Sequence, residues 1–212
     1  MIEILFENAD YLVCVKPVGV QSQNDSAEDM VKLLAAQTGS EIFPVHRLDT
    51  ATGGTMVFAK NRKTAAELSR QIEDKRFKKI YLAVLSGVPE KRSDTLTDLL
   101  FKDTKRNKSF VVDRERRGVK KVSLDYSVVT EADGKALVRV LLHTGRTHQI
   151  RVQFASRKLP LVGDGKYGSR DNRCEAALWS EQVSFFVRGE EKIYKSCPDF
   201  KIYPWNLFKF DE

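Results

Sequence analysis

The chain has 212 residues, 42% hydrophobic and 9% aromatic, enough to fill a sizeable core and to exclude a largely disordered chain. Thirty-six basic against 29 acidic residues give a net charge of +7, which points toward a polyanionic partner. No apolar run approaches the ~18–20 residues of a membrane span, and MIEILFENADYLV lacks the basic head and apolar block of a secretory signal.

From the N-terminus, Ile2–Phe6 reads as a strand, Asn8-Ala9-Asp10 as a turn, and Tyr11–Val15 as a second strand ended by Lys16-Pro17. Asp25-Ser26 offers an N-cap for a short helix carrying Met30, Val31, Leu33 and Leu34, with Gly39 as its stop. A loop through Phe43-Pro44 leads to HRLDTATGG and then to an apolar strand, Thr55–Ala59. Thr64-Ala65-Ala66-Glu67 reads as a capping box for a helix that puts Ala65, Leu68 and Ile72 on one face and runs into the basic stretch Lys75 to Lys79. Ile80–Leu85 is another strand.

Residues 88–121 look least like core and are expected to form an excursion, with a hairpin containing Ser109–Val112. Between Lys102 and Lys121 stand nine Lys or Arg against three acids, a surplus that suits phosphates, or simply a solvated charged loop. Val122–Val129 and Ala136–Leu142 follow as strands joined by Ala132-Asp133-Gly134, a hairpin signal. After HTGRTHQIRVQFASRKLP and VGDGKYGS, the strands Val183–Val187 and Lys192–Lys195 close the chain. The pattern predicts an α+β fold, a mixed and mostly antiparallel β-sheet with flanking helices, in a single domain over residues 1–212. Cys14, Cys174 and Cys197 are odd in number and form no CxxC pair, so no zinc cage or disulfide framework is expected and a reduced, cytoplasmic setting is.

Two segments carry chemistry. In His46-Arg47-Leu48-Asp49 the aspartate sits on a loop before a strand, beside a glycine pair that admits another backbone. Such an aspartate suits a nucleophile or general base, and equally a turn former bonding nearby amides. In Thr144-Gly145-Arg146-Thr147-His148-Gln149-Ile150-Arg151, Thr144 or Thr147 can cap a helix that places Ile150 and Phe154 on one face. Thr147 and Arg151 then present a hydroxyl and a guanidinium together, and the planar fork suits either Asp49 or a phosphate.

Read together, these segments resemble RluA-type RNA pseudouridine synthases. The resemblance rests on ILFENADYLVCVKP, PVHRLDTATGGTMVFAKN, KIYLAVLSG, and TGRTHQIRVQFA with PLVGDGKYG, in family order over about residues 1–170. It implies the pseudouridine synthase fold and isomerisation of uridines in ribosomal or transfer RNA, with no cofactor and no metal. Asp49 then falls on the essential aspartate, Tyr81 on a tyrosine that packs against the target base, and Arg151 on the basic partner of the aspartate. Arg47 falls on an arginine implicated in filling the gap left by a flipped base. Arg146, Thr147, His148 and Lys16 are further substrate-binding candidates, with Lys16 able to support the pocket floor or merely to close its strand. The N-terminal RNA-binding domain of many relatives is not expected, because the catalytic strand pair starts at residue 2, so the 102–121 segment leads as a source of RNA affinity. Thr52-Gly53-Gly54 replaces the usual Thr-Ser-Gly, and residues 20–29 match the family pattern poorly. The rival reading is a non-catalytic RNA-binding or RNA-chaperone protein on the same fold.

Overall fold

The structure is a computed structural model that describes residues 1–23 and 28–209. In chain order its elements are β1 (Glu3–Glu7), β2 (Tyr11–Lys16), α1 (Met30–Thr38), β3 (Phe43–Pro44), β4 (Gly53–Ala59), α2 (Arg62–Glu73) and β5 (Lys78–Leu85). There follow β6 (Ser93–Asp103), β7 (Lys108–Val112), β8 (Val119–Ala132), β9 (Lys135–Leu142), α3 (Gln149–Ala155), β10 (Leu178–Val187) and β11 (Glu190–Lys195). They pack as two compact units, Met1–Ile80 with Trp179–Pro198, and Tyr81–Leu178 with the chain from Asp199.

In the first unit β1 and β2 form the expected hairpin. The Asn8 Oδ1 accepts from the backbone N–H groups of Asp10 and Tyr11, both at 2.8 Å, which fixes the turn. β2 runs antiparallel to β4, pairing Tyr11 with Ala59 and Lys16 with Gly54, and β11 runs antiparallel to β10. At Trp179 and Ser180, β10 pairs parallel with β4, which makes this sheet mixed. Leu68 of α2 closes the sheet face into a core with Tyr11, Val13, Val57, Phe77, Val183 and Phe185, and Ile72 packs against it. The periodicity of α2 therefore reads true, but its start does not. The cap is Asn61, whose side chain accepts from the Thr64 N–H, so Thr64 lies in the first turn rather than before it. Asn is an equally good cap and stands three residues earlier. The expected cap at Asp25-Ser26 lies outside the described residues, and α1 is capped by Asp29, which accepts from the Lys32 N–H at 2.9 Å. Gly39 ends α1 in the left-handed region (φ 66°), as expected.

In the second unit β6 pairs antiparallel with both β7 and β8, and β8 with β9. The excursion thus contains the expected hairpin at Ser109–Val112, within a larger antiparallel sheet. β6 and β7 form a hairpin, and its register places Leu100 in a small core with Val122, Val152 and Tyr167. Charge hid this strand because one edge of the ribbon is solvated while the alternate positions are covered by α3. The β8–β9 turn is Asp133-Gly134 with φ values of 50° and 68°, the pair of left-handed residues that a tight hairpin demands. In α3, Gln149 to Phe154 are all buried. The polar members are bonded: the Gln149 amide donates to Ser123 O (3.1 Å) and to Gln153 Oε1 (3.0 Å), and Gln153 donates to Asp98 (2.6 Å). Neither Thr144 nor Thr147 caps this helix. His148 takes the cap position at φ 54° with no side-chain cap bond, while the Thr144 hydroxyl donates to Gln149 Oε1 at 2.8 Å.

Gly54 joins β4 to β10 by close backbone approach. Its φ is +116°, and a Cβ there would lie 2.4 Å from Ser180 O and 2.6 Å from Ser180 N. Gly54→Ala is expected to lower stability by more than about 2 kcal/mol, because both the backbone angle and the parallel pairing must give way. Chemical denaturation of the two proteins checks it; a loss under ~0.5 kcal/mol contradicts the parallel contact.

Candidate active-site residues

The first unit assembles the segment around Asp49. The His46 ring turns inward: Nε2 accepts from the Val57 N–H of β4 at 3.1 Å, the ring lies 5.4 Å from that of Phe77, and Nδ1 is buried with no hydrogen-bond partner among the described residues. Burial, aided by the charge of Lys79, pushes its pKa down to about 3. A neutral ring whose Nε2 is an acceptor is a pin for the loop rather than a proton carrier. Two residues on, Leu48 is buried, and the Ser22 hydroxyl both accepts from its N–H and donates to its C=O, each at 2.9 Å.

The chain then turns. The Thr52 N–H donates to Asp49 O at 2.9 Å, and Thr50 O accepts from the Gly19 N–H at 2.8 Å and from Lys16 Nζ at 3.3 Å. Lys16, at the end of β2, is fully buried, and its ammonium also donates to Val20 O (2.6 Å) and Pro17 O (2.8 Å). Burial lowers its pKa to about 8, against the opposing pull of the Asp49 charge. The turn is thus held from His46 and Leu48 on one side and from a buried cation beneath it. Asp49 itself is half-buried and Arg47 beside it is exposed. Lys16 was expected among substrate-binding residues. Its Nζ is directed at the carbonyls of its own loop, so it supports the turn instead.

The second unit holds the other candidates. Tyr81 lies in β5 and is buried. Arg151, on α3, forms a bidentate pair with Asp164: Nε to Oδ2 and Nη2 to Oδ1, each at 2.7 Å, with side-chain exposures of only 8% and 1%. Its guanidinium carbon also lies 5.1 Å from the centroid of the Tyr167 ring. The Tyr167 hydroxyl accepts from the Ser109 N–H and is bonded to His148 Nδ1, both at 2.9 Å. The GDGKYG segment is therefore the platform that holds Arg151. Gly163 lets the segment pass its neighbour, since a Cβ there would lie 2.3 Å from Glu175 O.

His148, expected to touch substrate, is buried in this platform, because its Nδ1 is spent on Tyr167. Arg146 is exposed and Thr147 half-buried, with Thr147 O accepting from the Ser109 hydroxyl at 2.7 Å. The first unit thus brings Lys16, His46, Arg47 and Asp49 into one loop, and the second gathers Arg146, Thr147, His148 and Arg151 at the start of α3. Sequence reasoning missed Asp164 and Tyr167. A signal was present, since an arginine among the apolar positions of a helix requires a nearby acid. No group of three or more His, Cys, Asp or Glu is arranged to hold a metal ion among the described residues.

Breaking one side of the buried pair removes the bidentate partner of the other buried charge. Asp164→Asn is expected to cost about 3–5 kcal/mol, whereas the double change Arg151→Met with Asp164→Leu regains much of that loss. Denaturant melts of the three proteins check this ordering; equal losses in the single and double variants contradict it.

A sequence profile of the RNA pseudouridylate synthase family matches residues 10–156, a span that enters both units. Ribosomal large subunit pseudouridine synthase D of Borreliella burgdorferi is 29% identical over 231 aligned residues, which cover all of this chain and 70% of that protein. tRNA pseudouridine synthase C of Pasteurella multocida is 34% identical over 184, covering 79% of this chain and 74% of its own. Among solved structures, Human RNA Pseudouridylate Synthase Domain Containing 1 superposes with a TM-score of 0.82 at 23% identity, over 97% of this chain and 86% of that one, a likeness of fold.

Proposed function

This chain belongs to the RNA pseudouridylate synthase family, and we propose that it converts particular uridines of ribosomal or transfer RNA to pseudouridine with Asp49 as its reacting carboxylate. The observation that supports this assignment most is the construction of the Asp49 turn, pinned through His46 and Leu48 and underlain by the Lys16 ammonium. A carboxylate fixed before substrate arrives loses little freedom when it reacts.

The reaction breaks the bond between uracil N1 and ribose C1′, turns the detached ring, and joins C5 to C1′. The proton leaving C5 is balanced by one gained at N1, so electrons are conserved and no oxidant or reductant is consumed. Asp49 acts on C1′ or on the ring, as nucleophile or as base. Tyr81 offers a ring face to the base and a hydroxyl for the C5 proton. Arg151, held by Asp164 and stacked on Tyr167, is the cationic group of the site, and Arg47 is the exposed side chain suited to occupy the space a flipped base leaves. The activities for which two relatives are named, one on the ribosomal large subunit and one on transfer RNA, support these two substrate classes. RNA affinity is assigned in part to the β6–β7 ribbon and the segment that leads from it into β8, where Lys102, Lys105, Arg106, Arg114, Arg116, Arg117, Lys120 and Lys121 are exposed.

Pseudouridine mapping by carbodiimide labelling, in cells with and without the gene, tests the assignment. Wild-type protein is expected to restore one or a few lost signals, and Asp49→Ala to restore none while retaining its melting temperature and RNA binding. Signals restored to more than a few per cent by Asp49→Ala would sink the role given to this carboxylate.

A further inference from the structure

Three strands of the second unit, β8, β6 and β7, have one covered face and one open face. On the covered face Leu100 and Val122 form a small core with Val152 of α3 and Tyr167. Strand residues alternate between faces, so Leu99 and Phe101 of β6 point away from α3. The register sets Val112 and Lys121 on either side of Leu99, and Phe110 and Val119 on either side of Phe101. Leu99, Phe101, Phe110, Val112 and Val119 are all partly exposed.

The two rings are the informative members. Phe101 and Phe110 stand directly opposite each other on neighbouring antiparallel strands, which sets their Cβ atoms about 4.5–5.5 Å apart. Each has a cation beside it. The Arg116 guanidinium carbon lies 4.8 Å from the Phe101 centroid, and Lys108 Nζ, which donates to Lys166 O at 2.5 Å, lies 5.8 Å from that of Phe110. Lys121, in the adjacent row, is exposed. Between Lys102 and Lys121 nine basic residues outnumber Asp103, Asp113 and Glu115. Aliphatic side chains alone would suit a second protein chain. Ring faces set within a surplus of cations suit a polyanion that carries aromatic groups, and RNA with unpaired bases is such a polymer: its phosphates meet the cations and its bases the rings. An A-form duplex stacks its bases on one another and offers no free face.

We infer that Phe101 and Phe110 are a stacking platform for unpaired bases of the substrate RNA, with Arg116 and Lys108 beside them for the neighbouring phosphates. The inference rests on the proposed function and deepens it, by stating which form of RNA is held and by which side chains. Arg151 belongs to α3, on the covered side of the same strands, so the bases on this platform are those of a flanking single-stranded segment and not the uridine that is isomerised. Lys108 stands on the edge strand β7, with its ammonium also 5.0 Å from the Tyr167 ring of the covered side, and marks the rim between the two faces. Phe101 and Phe110 are positioning residues: they hold the strand and touch none of the reacting atoms.

The test compares wild type, the double variant Phe101→Leu with Phe110→Leu, and the double variant Phe101→Tyr with Phe110→Tyr. Binding is measured to two fluorescein-labelled 12-mers, one of uridine and one of abasic ribose with the same phosphates. Leucine keeps apolar bulk on the sheet and removes the ring face, so the fold is retained. The leucine pair is expected to bind the uridine 12-mer about 10-fold more weakly at 0.1 M KCl. The slope of log affinity against log salt is expected to stay the same, because no ionic contact is lost. Affinity for the abasic 12-mer is expected to match that of wild type, and the tyrosine pair to recover the uridine affinity. On an RNA that wild type modifies, the leucine pair is expected to raise KM about 10-fold with little change in kcat. Equal affinity of wild type and the leucine pair for the uridine 12-mer overturns the inference, as does an equal loss on both 12-mers, which reports a disturbed surface and not lost stacking. A wild-type dimer that the leucine pair dissociates in analytical ultracentrifugation also overturns it, by assigning the face to a second copy of the chain. Failure of the proposed function has a different signature: wild type binds the uridine 12-mer through the rings and forms no pseudouridine in any cellular RNA.

Discussion

A cation withdrawn from water must find compensating oxygen atoms, and two cations of this protein meet that requirement in two ways. Lys16 uses the carbonyls of its own loop and thereby fixes the turn that carries Asp49. Arg151 uses a dedicated acid, and the two-point pairing with Asp164 orients its fork as well as neutralising it. The same electrostatic cost thus produces a scaffold in the first case and a preorganised guanidinium in the second.

The supporting structure follows from these demands. The Asp49 turn can be rigid because its neighbours leave the loop and enter the core: His46 reaches β4, and Leu48 is gripped by Ser22. The Arg151 platform can be rigid because Tyr167 is bonded from two elements, by Ser109 of β7 and by His148 at the start of α3. The hairpin that reads as a charged excursion therefore has a second task, since its buried Ser109 helps to set the ring beneath the arginine. Positive charge on its exposed positions and hydrogen bonding on its covered ones coexist because a strand alternates its faces.

Much of this was legible from local chemistry. Asn8-Ala9-Asp10, Gly39 and Asp133-Gly134 announce their turns, and Leu68 with Ile72 announces the buried face of α2, because each is decided by residues close in sequence. The motifs around Asp49 and Arg151 were equally visible. Asp164 was not, since nothing local distinguishes an acid that forms a turn from one that reaches across to a helix thirteen residues away. The cap of α2 was misplaced by a rival signal, for Thr64 and Glu67 have capping-box spacing while Asn61 supplies the bond. Asp164 was decided by position in three dimensions, the cap of α2 by competition between two local signals.

The central claim is that the carboxylate held on the pinned turn performs the isomerisation. Because the C5 hydrogen must leave when C5 joins C1′, RNA transcribed with tritium at C5 of uridine reports the reaction directly. Wild-type protein is expected to release tritium to water in proportion to the sites it modifies. Asp49→Asn, which keeps the shape of the side chain and removes its charge, is expected to bind the same RNA equally well and release none. Release by Asp49→Asn at a rate near that of wild type would contradict the account.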